Sequence, residues 1–214
     1  MDLIEKTREF AATFHDGEPS SHDMSHITRV EALCMEIQKE EGGDLFILQL
    51  AALLHDVGVI KEHEVGGDHA LYSAEIASEF LGRAGVEKKT IEAVTYCILT
   101  HRFSGGESPE TIEARILQDA DRLDALGAIG IFRSILSMGA LRMLKHTTGL
   151  DKGSSKKTVY VRGPVEGFNE YMHYKPFTIP QKLNTAKAKK IAEERLKIMH
   201  LYLEALNLET GAGK

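Results

Sequence analysis

Cysteine is scarce in this chain, with Cys34 and Cys97 the only two in 214 residues. Both fall inside apolar helical patterns, so they read as small core residues, and a disulfide framework is excluded. There is no excess of positive charge: 26 Lys and Arg face 32 Asp and Glu, giving a net charge of −6 and a pI near 5.9. A basic footprint for nucleic acid is therefore missing, and any anionic ligand must be met by local lysines and arginines or by a metal ion. Long apolar runs are missing too. The best are short or broken, for instance by Arg133 and Arg142, which excludes a membrane-spanning helix. Residues 1–10 carry several charges and do not resemble a signal peptide, so the expected protein is soluble and cytoplasmic. Strand-type alternation is almost absent, as are internal repeats and low-complexity tracts.

What is present is helical periodicity, with an apolar content of 43% that suffices for a substantial core and a length that suits a single domain over residues 1–214. Leu3, Thr7, Phe10 and Phe14 mark a first helix ending near His15. Ile27, Val30, Leu33, Cys34 and Ile37 form a second stripe, capped by Asp23 or Ser25 and broken by Gly42-Gly43. Asp44 caps a third helix, 45–55, apolar on nearly all faces as in a buried central helix. The charged stretch 59–68 reads as a surface loop. A helix over 69–81 follows, then a fifth with Ile91, Val94, Ile98 and Leu99 on one face and His101 at its end. Ser108 as cap and Pro109 in the first turn open a long helical region through Ile116, Leu117 and Leu123. After a helix over 129–144, residues 147–167, with Lys156-Lys157, read as an exposed loop or lid. Residues 168–177 are mixed and aromatic, and an amphipathic helix over about 183–208 ends the pattern before a frayed tail.

The chemistry centres on His55-Asp56, where the apolar run 45–54 ends in two metal-capable side chains at the edge of a core. One such dipeptide carries little, since roughly half an occurrence is expected by chance at this composition. His26 lies one turn before Val30, and Asp121 follows Leu117 by four residues, so each sits near an apolar face. Ligands drawn from separate helices are how metal sites are built in bundle cores. Two His and two carboxylates suit Mn, Fe, Co, Ni or Zn better than Mg or Ca alone. Such an ion lowers the pKa of bound water and polarises a phosphoryl oxygen, so hydrolysis is the expected chemistry.

Three longer stretches carry a family resemblance: Ser21-His22-Asp23-Met24-Ser25-His26-Ile27-Thr28-Arg29-Val30, Leu53-Leu54-His55-Asp56-Val57-Gly58, and Gln118-Asp119-Ala120-Asp121-Arg122-Leu123-Asp124 with the residues through Gly130. Together they resemble the HD superfamily of metal-dependent phosphohydrolases, in particular a bacterial and archaeal branch of single-domain proteins. The terminal Leu183-Asn184-Thr185 and Ile191-Ala192-Glu193-Glu194-Arg195 are similar to that branch's last helix, so nearly the whole chain is covered. The resemblance implies an all-α fold, an HD-domain helical bundle with extra C-terminal helices: a core of about 22–130, then a lid loop and helix over 147–208. It implies hydrolysis of phosphate esters or anhydrides, with nucleotides, including deoxynucleoside triphosphates, as frequent substrates. It implies ligands at His26, His55, Asp56 and Asp121, the last chosen over Asp119 because the family's ligand commonly precedes a basic residue, here Arg122. Some members bind a second metal through further histidines, for which His69 and His101 are available.

A phosphate substrate also needs cations, and Arg29, Lys61, Arg102 and Arg122 are the candidates. Arg29 and Arg122 also have Glu31 and Asp124 nearby to pair with. His55 and Asp56 would act with the ion, His101 or Asp119 as proton carrier. Asp119 and Asp124 have an alternative role in orienting ligands or water. The expected protein is thus a phosphohydrolase that uses a divalent transition metal (Mn, Co, Ni, Fe or Zn, with Mg admissible) on a small phosphorylated molecule, a nucleotide above all. Nucleic acid and membrane are not expected as partners, and the C-terminal helix leaves room for a homodimer. The alternatives are a di-iron oxygenase on the same scaffold, which His69 and His101 permit and a cationic pocket disfavours, and a metal- or nucleotide-binding protein without turnover.

Overall fold

The computed structural model describes residues 2–15, 23–102, 108–148 and 164–211, with 139–148 and 164 described by backbone alone. All regular structure among them is helical and no strand occurs, the all-α class expected from the sequence. The chain gathers into two compact units: Met1–Asp124 with Leu183–Ala188, and Ala125–Lys182 with Lys189–Lys214.

The first unit contains α1 (Leu3–His15), α2 (Met24–Glu41), α3 (Leu45–Leu54), α4 (Val59–Val65), α5 (His69–Arg83), α6 (Lys88–Thr100) and α7 (Ile112–Leu123). Its centre is α3, where Leu48, Leu50, Ala51, Ala52, Leu53 and Leu54 are all buried. A helix without a polar face can be accommodated only by neighbours on all sides, and α1, α2, α5, α6 and α7 all touch it. Each leucine so buried contributes about 1.5–3 kcal/mol. Capping sets where the helices begin. Asp44 accepts from the backbone N–H of Phe46 and Ile47, and Asp23 from that of His26. Gly42, at φ 81°, ends α2 in the left-handed region.

Two local expectations are corrected. Residues 59–65 are helical rather than loop, because the chain turns over 55–58 and at once resumes as α4 against α5. The turn is tight: Gly58 N–H donates to Ser73 Oγ at 2.9 Å, and a Cβ on Gly58 would lie 2.6 Å from the His69 carbonyl oxygen and the Ser73 nitrogen. The seventh helix starts at Ile112, with Thr111 capping Ala114, rather than at Pro109. Residues 108–110 stay outside it, tied by Tyr96 Oη accepting from Glu110 N and Pro109 O accepting from Arg115 Nε.

The second unit holds α8 (Gly127–Thr148), α9 (Pro164–Tyr174), a 3₁₀ segment Pro176–Lys182 and most of α10 (Ala186–Thr210). Phe168, Met172, Ile179, Ala192, Met199 and Leu203 are buried there, and Phe177 stacks on His200 with ring centroids 4.5 Å apart. The expected lid is corrected at both ends, since 147–148 belong to α8 and 164–167 to α9. Its middle, including Lys156-Lys157, lies outside the described residues, as does the tail beyond 211. None of the described helices is long and apolar enough to cross a membrane.

Candidate metal centre

Five segments of the first unit deliver side chains to one buried point. His26 comes from the first turn of α2, His55 and Asp56 from the end of α3, His69 from the start of α5, His101 from the residue after α6, and Asp121 from the last turn of α7. His26 and His55 are fully buried, and Asp56 is 2% exposed.

Asp56 is the hub. Its Oδ2 lies 3.5 Å from Nε2 of His26 and 3.5 Å from Nε2 of His55. Its Oδ1 lies 3.5 Å from Nε2 of His69 and 3.5 Å from Nε2 of His101. Asp121 Oδ1 completes the first side at 3.4 Å from His26 Nε2. The four rings run in a row, with neighbouring centroids 5.1–5.4 Å apart.

Every ring is oriented from behind. Nδ1 faces Asp124 Oδ2 in His26 (2.8 Å), Ala52 O in His55 (2.8 Å), Glu62 Oε2 in His69 (2.9 Å) and Ile98 O in His101. An acceptor at Nδ1 keeps the proton of a neutral ring there, which leaves the Nε2 lone pair aimed at Asp56. Ligands held at about 2.0–2.2 Å by one ion lie roughly 3.0–3.5 Å apart at octahedral to tetrahedral angles. The observed 3.4–3.5 Å separations fit that spacing. His55 Nε2 is moreover buried with no hydrogen-bond partner, a cost of about 1–3 kcal/mol that a bound cation would remove. The donor set therefore fits a divalent metal, with His26, His55, Asp56 and Asp121 on one side and Asp56, His69 and His101 on the other.

Electrostatics agree with that assignment. Burial pushes the His55 imidazole down to about 4, so it is neutral and able to ligate at pH 7. Burial lowers His101 as well, but the carboxylates of Asp56 and Asp121 outweigh it and its pKa is raised. For Asp121 burial favours the neutral acid, yet His26, His55 and His101 prevail and hold the carboxyl below its ordinary range.

The structure thus brings together His26, His55, Asp56, His69, His101 and Asp121, and leaves Asp119 out. Two positions before Asp121 on the same helix, Asp119 accepts from the backbone N–H of Asn184 and Thr185, from Thr185 Oγ1 and from Asn184 Nδ2, at 2.8–3.1 Å. Those bonds anchor residues 184–185. Among the described residues, three of the expected cations are engaged by neighbouring side chains. Arg29 holds Asp124, Arg102 lies between Glu62 and Asp68, and Lys61 sits 4.1 Å over the Tyr72 ring with Glu75 at 3.8 Å. Arg122, on α7 next to Asp121, is partly buried; burial lowers its pKa against the pull of Asp119 and Asp121. Sequence reasoning missed Glu62, because it falls in the stretch read as a loop. A charged residue seven positions before a histidine is no motif.

Fold and site together define an all-helical protein with a buried His/Asp cluster able to hold a metal ion. Residues 24–126 match the HD domain family. The uncharacterised protein YpgQ of Bacillus subtilis is 30% identical over 96% of this chain and 93% of its own length. Its crystal structure in complex with ADP superposes with a TM-score of 0.73 at 28% identity, covering 96% of this chain and 97% of that one. An HD-superfamily hydrolase from Bacillus thuringiensis superposes equally well, at 0.73 and 31% identity over 98% and 97% of the two chains. The chain belongs to the HD-domain family, and its fold is that of HD-superfamily hydrolases.

Proposed function

We propose that this protein is a metal-dependent phosphohydrolase that cleaves a phosphate ester or anhydride of a nucleotide. The observation that carries the reading is the ring of four imidazoles around Asp56, each with Nδ1 anchored and Nε2 turned inward. His26, His55, Asp56 and Asp121 would hold the principal ion, and Asp56, His69 and His101 would seat a second. A bound ion supplies an acidified water and charge neutralisation at a phosphoryl oxygen. The chain's own contribution is orientation and proton control. His55 stays neutral at pH 7 through burial, and Asp124 and Glu62 fix the rings of His26 and His69. When the second seat is empty, His101, whose pKa the carboxylates of Asp56 and Asp121 raise, is the group proposed to pass a proton from Nε2 to a leaving oxygen. Arg122 and Lys61 are the cations proposed to meet the phosphate chain. A nucleotide is favoured because YpgQ, similar along nearly its whole length, has been crystallised with ADP.

A screen of nucleoside mono-, di- and triphosphates with Mn, Co, Ni and Mg, with products resolved by chromatography, tests the reading and shows which bond breaks. Phosphate release that survives in both His55→Ala and Asp56→Ala would sink it. A di-iron oxygenase is the second reading, favoured by the carboxylate shared between two histidine pairs. Iron content and redox spectroscopy of the purified protein separate the two.

A further inference from the structure

Arg29 and Arg102 are built into the centre from behind. Arg29 gives Nε to Asp124 Oδ1 at 2.7 Å and Nη2 to Asp124 Oδ2 at 2.9 Å, and that same Oδ2 accepts from His26 Nδ1 at 2.8 Å. Its third nitrogen, Nη1, donates to Ser25 Oγ at 2.9 Å. Ser25 in turn donates to Asp23 Oδ1 at 2.7 Å, and Asp23 Oδ1 accepts from the His26 backbone N–H at 3.0 Å. The hydrogen bonds thus leave His26 at its ring and return to it at its backbone, forming a closed loop.

The other side of Asp56 repeats the arrangement with different residues. Arg102 Nη2 lies 3.3 Å from Glu62 Oε1, while Glu62 Oε2 holds His69 Nδ1 at 2.9 Å. Arg102 Nη1 reaches Asp68 Oδ1 at 2.8 Å, and that same oxygen caps the first turn of α5 just beyond His69. Each oxygen of Asp56 is therefore approached by one imidazole backed by a carboxylate and an arginine, and by one backed by a helix-end carbonyl.

We infer that Arg29 and Arg102 are positioning residues for metal binding, each clamping the carboxylate that aims a ligand imidazole, and are not contacts to the phosphate of the substrate. Asp124 is fully buried, and a desolvated carboxylate shared by an imidazole and a guanidinium needs the positive partner to remain in place. The Nε–Nη2 edge of Arg29, one of the two with which a guanidinium can grip a pair of oxygens, is occupied by Asp124, and Nη1 donates to Ser25. This inference rests on the metal site described under the proposed function and deepens it, since it assigns the affinity for the ion to groups that never touch the ion.

The test uses the full chain stripped of metal by chelation and titrated with Co2+ alone, followed by the d–d absorption of the bound ion. Arg29→Gln and Arg102→Gln are each expected to weaken Co2+ binding by about 10–100-fold and to alter the absorption envelope. Arg29→Lys, which keeps the charge and loses the fork, should recover part of the affinity. At saturating Co2+ the affinity for inorganic phosphate should be unchanged in the Gln variants. Wild-type Co2+ affinity in both Gln variants overturns the inference, whether accompanied by weakened phosphate binding, which restores the phosphate-contact role, or by a lowered Tm alone, which makes the clamps merely structural. If Arg29→Gln fails to fold, Arg102→Gln carries the test by the same readouts. A wild-type chain that binds no Co2+ removes the site on which both proposals stand. Loss of Co2+ affinity in the variants of a chain that hydrolyses no phosphate compound sinks the hydrolase and leaves the clamps.

Discussion

The N–H of Gly58 donates to Ser73 Oγ at 2.9 Å, pinning the turn that carries His55 and Asp56 against the first turns of the helix that carries His69. The site depends on how closely those two backbones approach. Gly58→Ala places a methyl group 2.6 Å from the His69 carbonyl oxygen and the Ser73 nitrogen, both backbone atoms that cannot step aside. The expected result is a loss of about 1–3 kcal/mol in stability and a lower metal content, because His69 moves away from Asp56. Thermal denaturation and elemental analysis of the purified variant check it.

Asp56 touches both histidine pairs, so its removal should affect every ion at once. Asp56→Ala is expected to abolish metal-dependent phosphate release, by at least about 100-fold, and to leave no bound ion after gel filtration. His69→Ala should remove the second seat alone, and the comparison of metal stoichiometries tells the two apart.

Asp119 and Asp121 should separate cleanly by phenotype. Asp119→Ala leaves the buried donors at Thr185 unmet, and is expected to cost roughly 2–4 kcal/mol of stability with metal stoichiometry retained. Asp121→Asn is expected to lose metal affinity with little change in the stability of the metal-free protein. Parallel urea titrations and metal titrations distinguish them, and an Asp119 variant that folds normally but binds no metal would reverse the assignment.

The metal-free protein should weaken on acidification. His55 has its folded pKa lowered to about 4 from 6.5, so the unfolded chain binds the extra proton first. The stability linked to this ring is fully present above about 6.5 and is lost as pH falls toward and through 4. His101 has the opposite sign, since its folded pKa is raised; its contribution is present below 6.5 and is lost as pH rises past its folded value. Tm of the chelated protein should therefore fall from pH 6.5 to 4. Added Mn2+ should raise Tm at pH 7.5 and lose that effect as pH falls toward 4, where His55 takes up a proton on the nitrogen that the ion would use.

The fold class was legible because helical periodicity is local: the stripe Ile27 to Ile37 and the all-apolar α3 announce themselves within a few turns. His26, His55, Asp56 and Asp121 were legible because each ends or flanks such a stripe. The surroundings of the site were not, since they depend on partners remote in sequence. Arg29 looked like a phosphate ligand because Asp124 lies 95 residues away and gives no periodic signal. Glu62 and Arg102, 40 residues apart, were obscured by a helix of only seven residues, α4, too short and too charged to show a pattern. Asp119 and Asp121 look equivalent in the sequence, which does not show that Asn184 and Thr185 lie against the first and His26 against the second.

His55 and His101 take their orientation from Ala52 O and Ile98 O, main-chain carbonyls in the last turns of α3 and α6. No side-chain substitution deletes a carbonyl. Half of the ring of imidazoles is thus wired into the main chain and insulated from drift, while the half set by Asp124 and Glu62 can be adjusted one residue at a time. Changes in the ion this scaffold prefers, in nature or by design, would enter through those two carboxylates and their arginines, with the helix ends holding the remaining geometry constant.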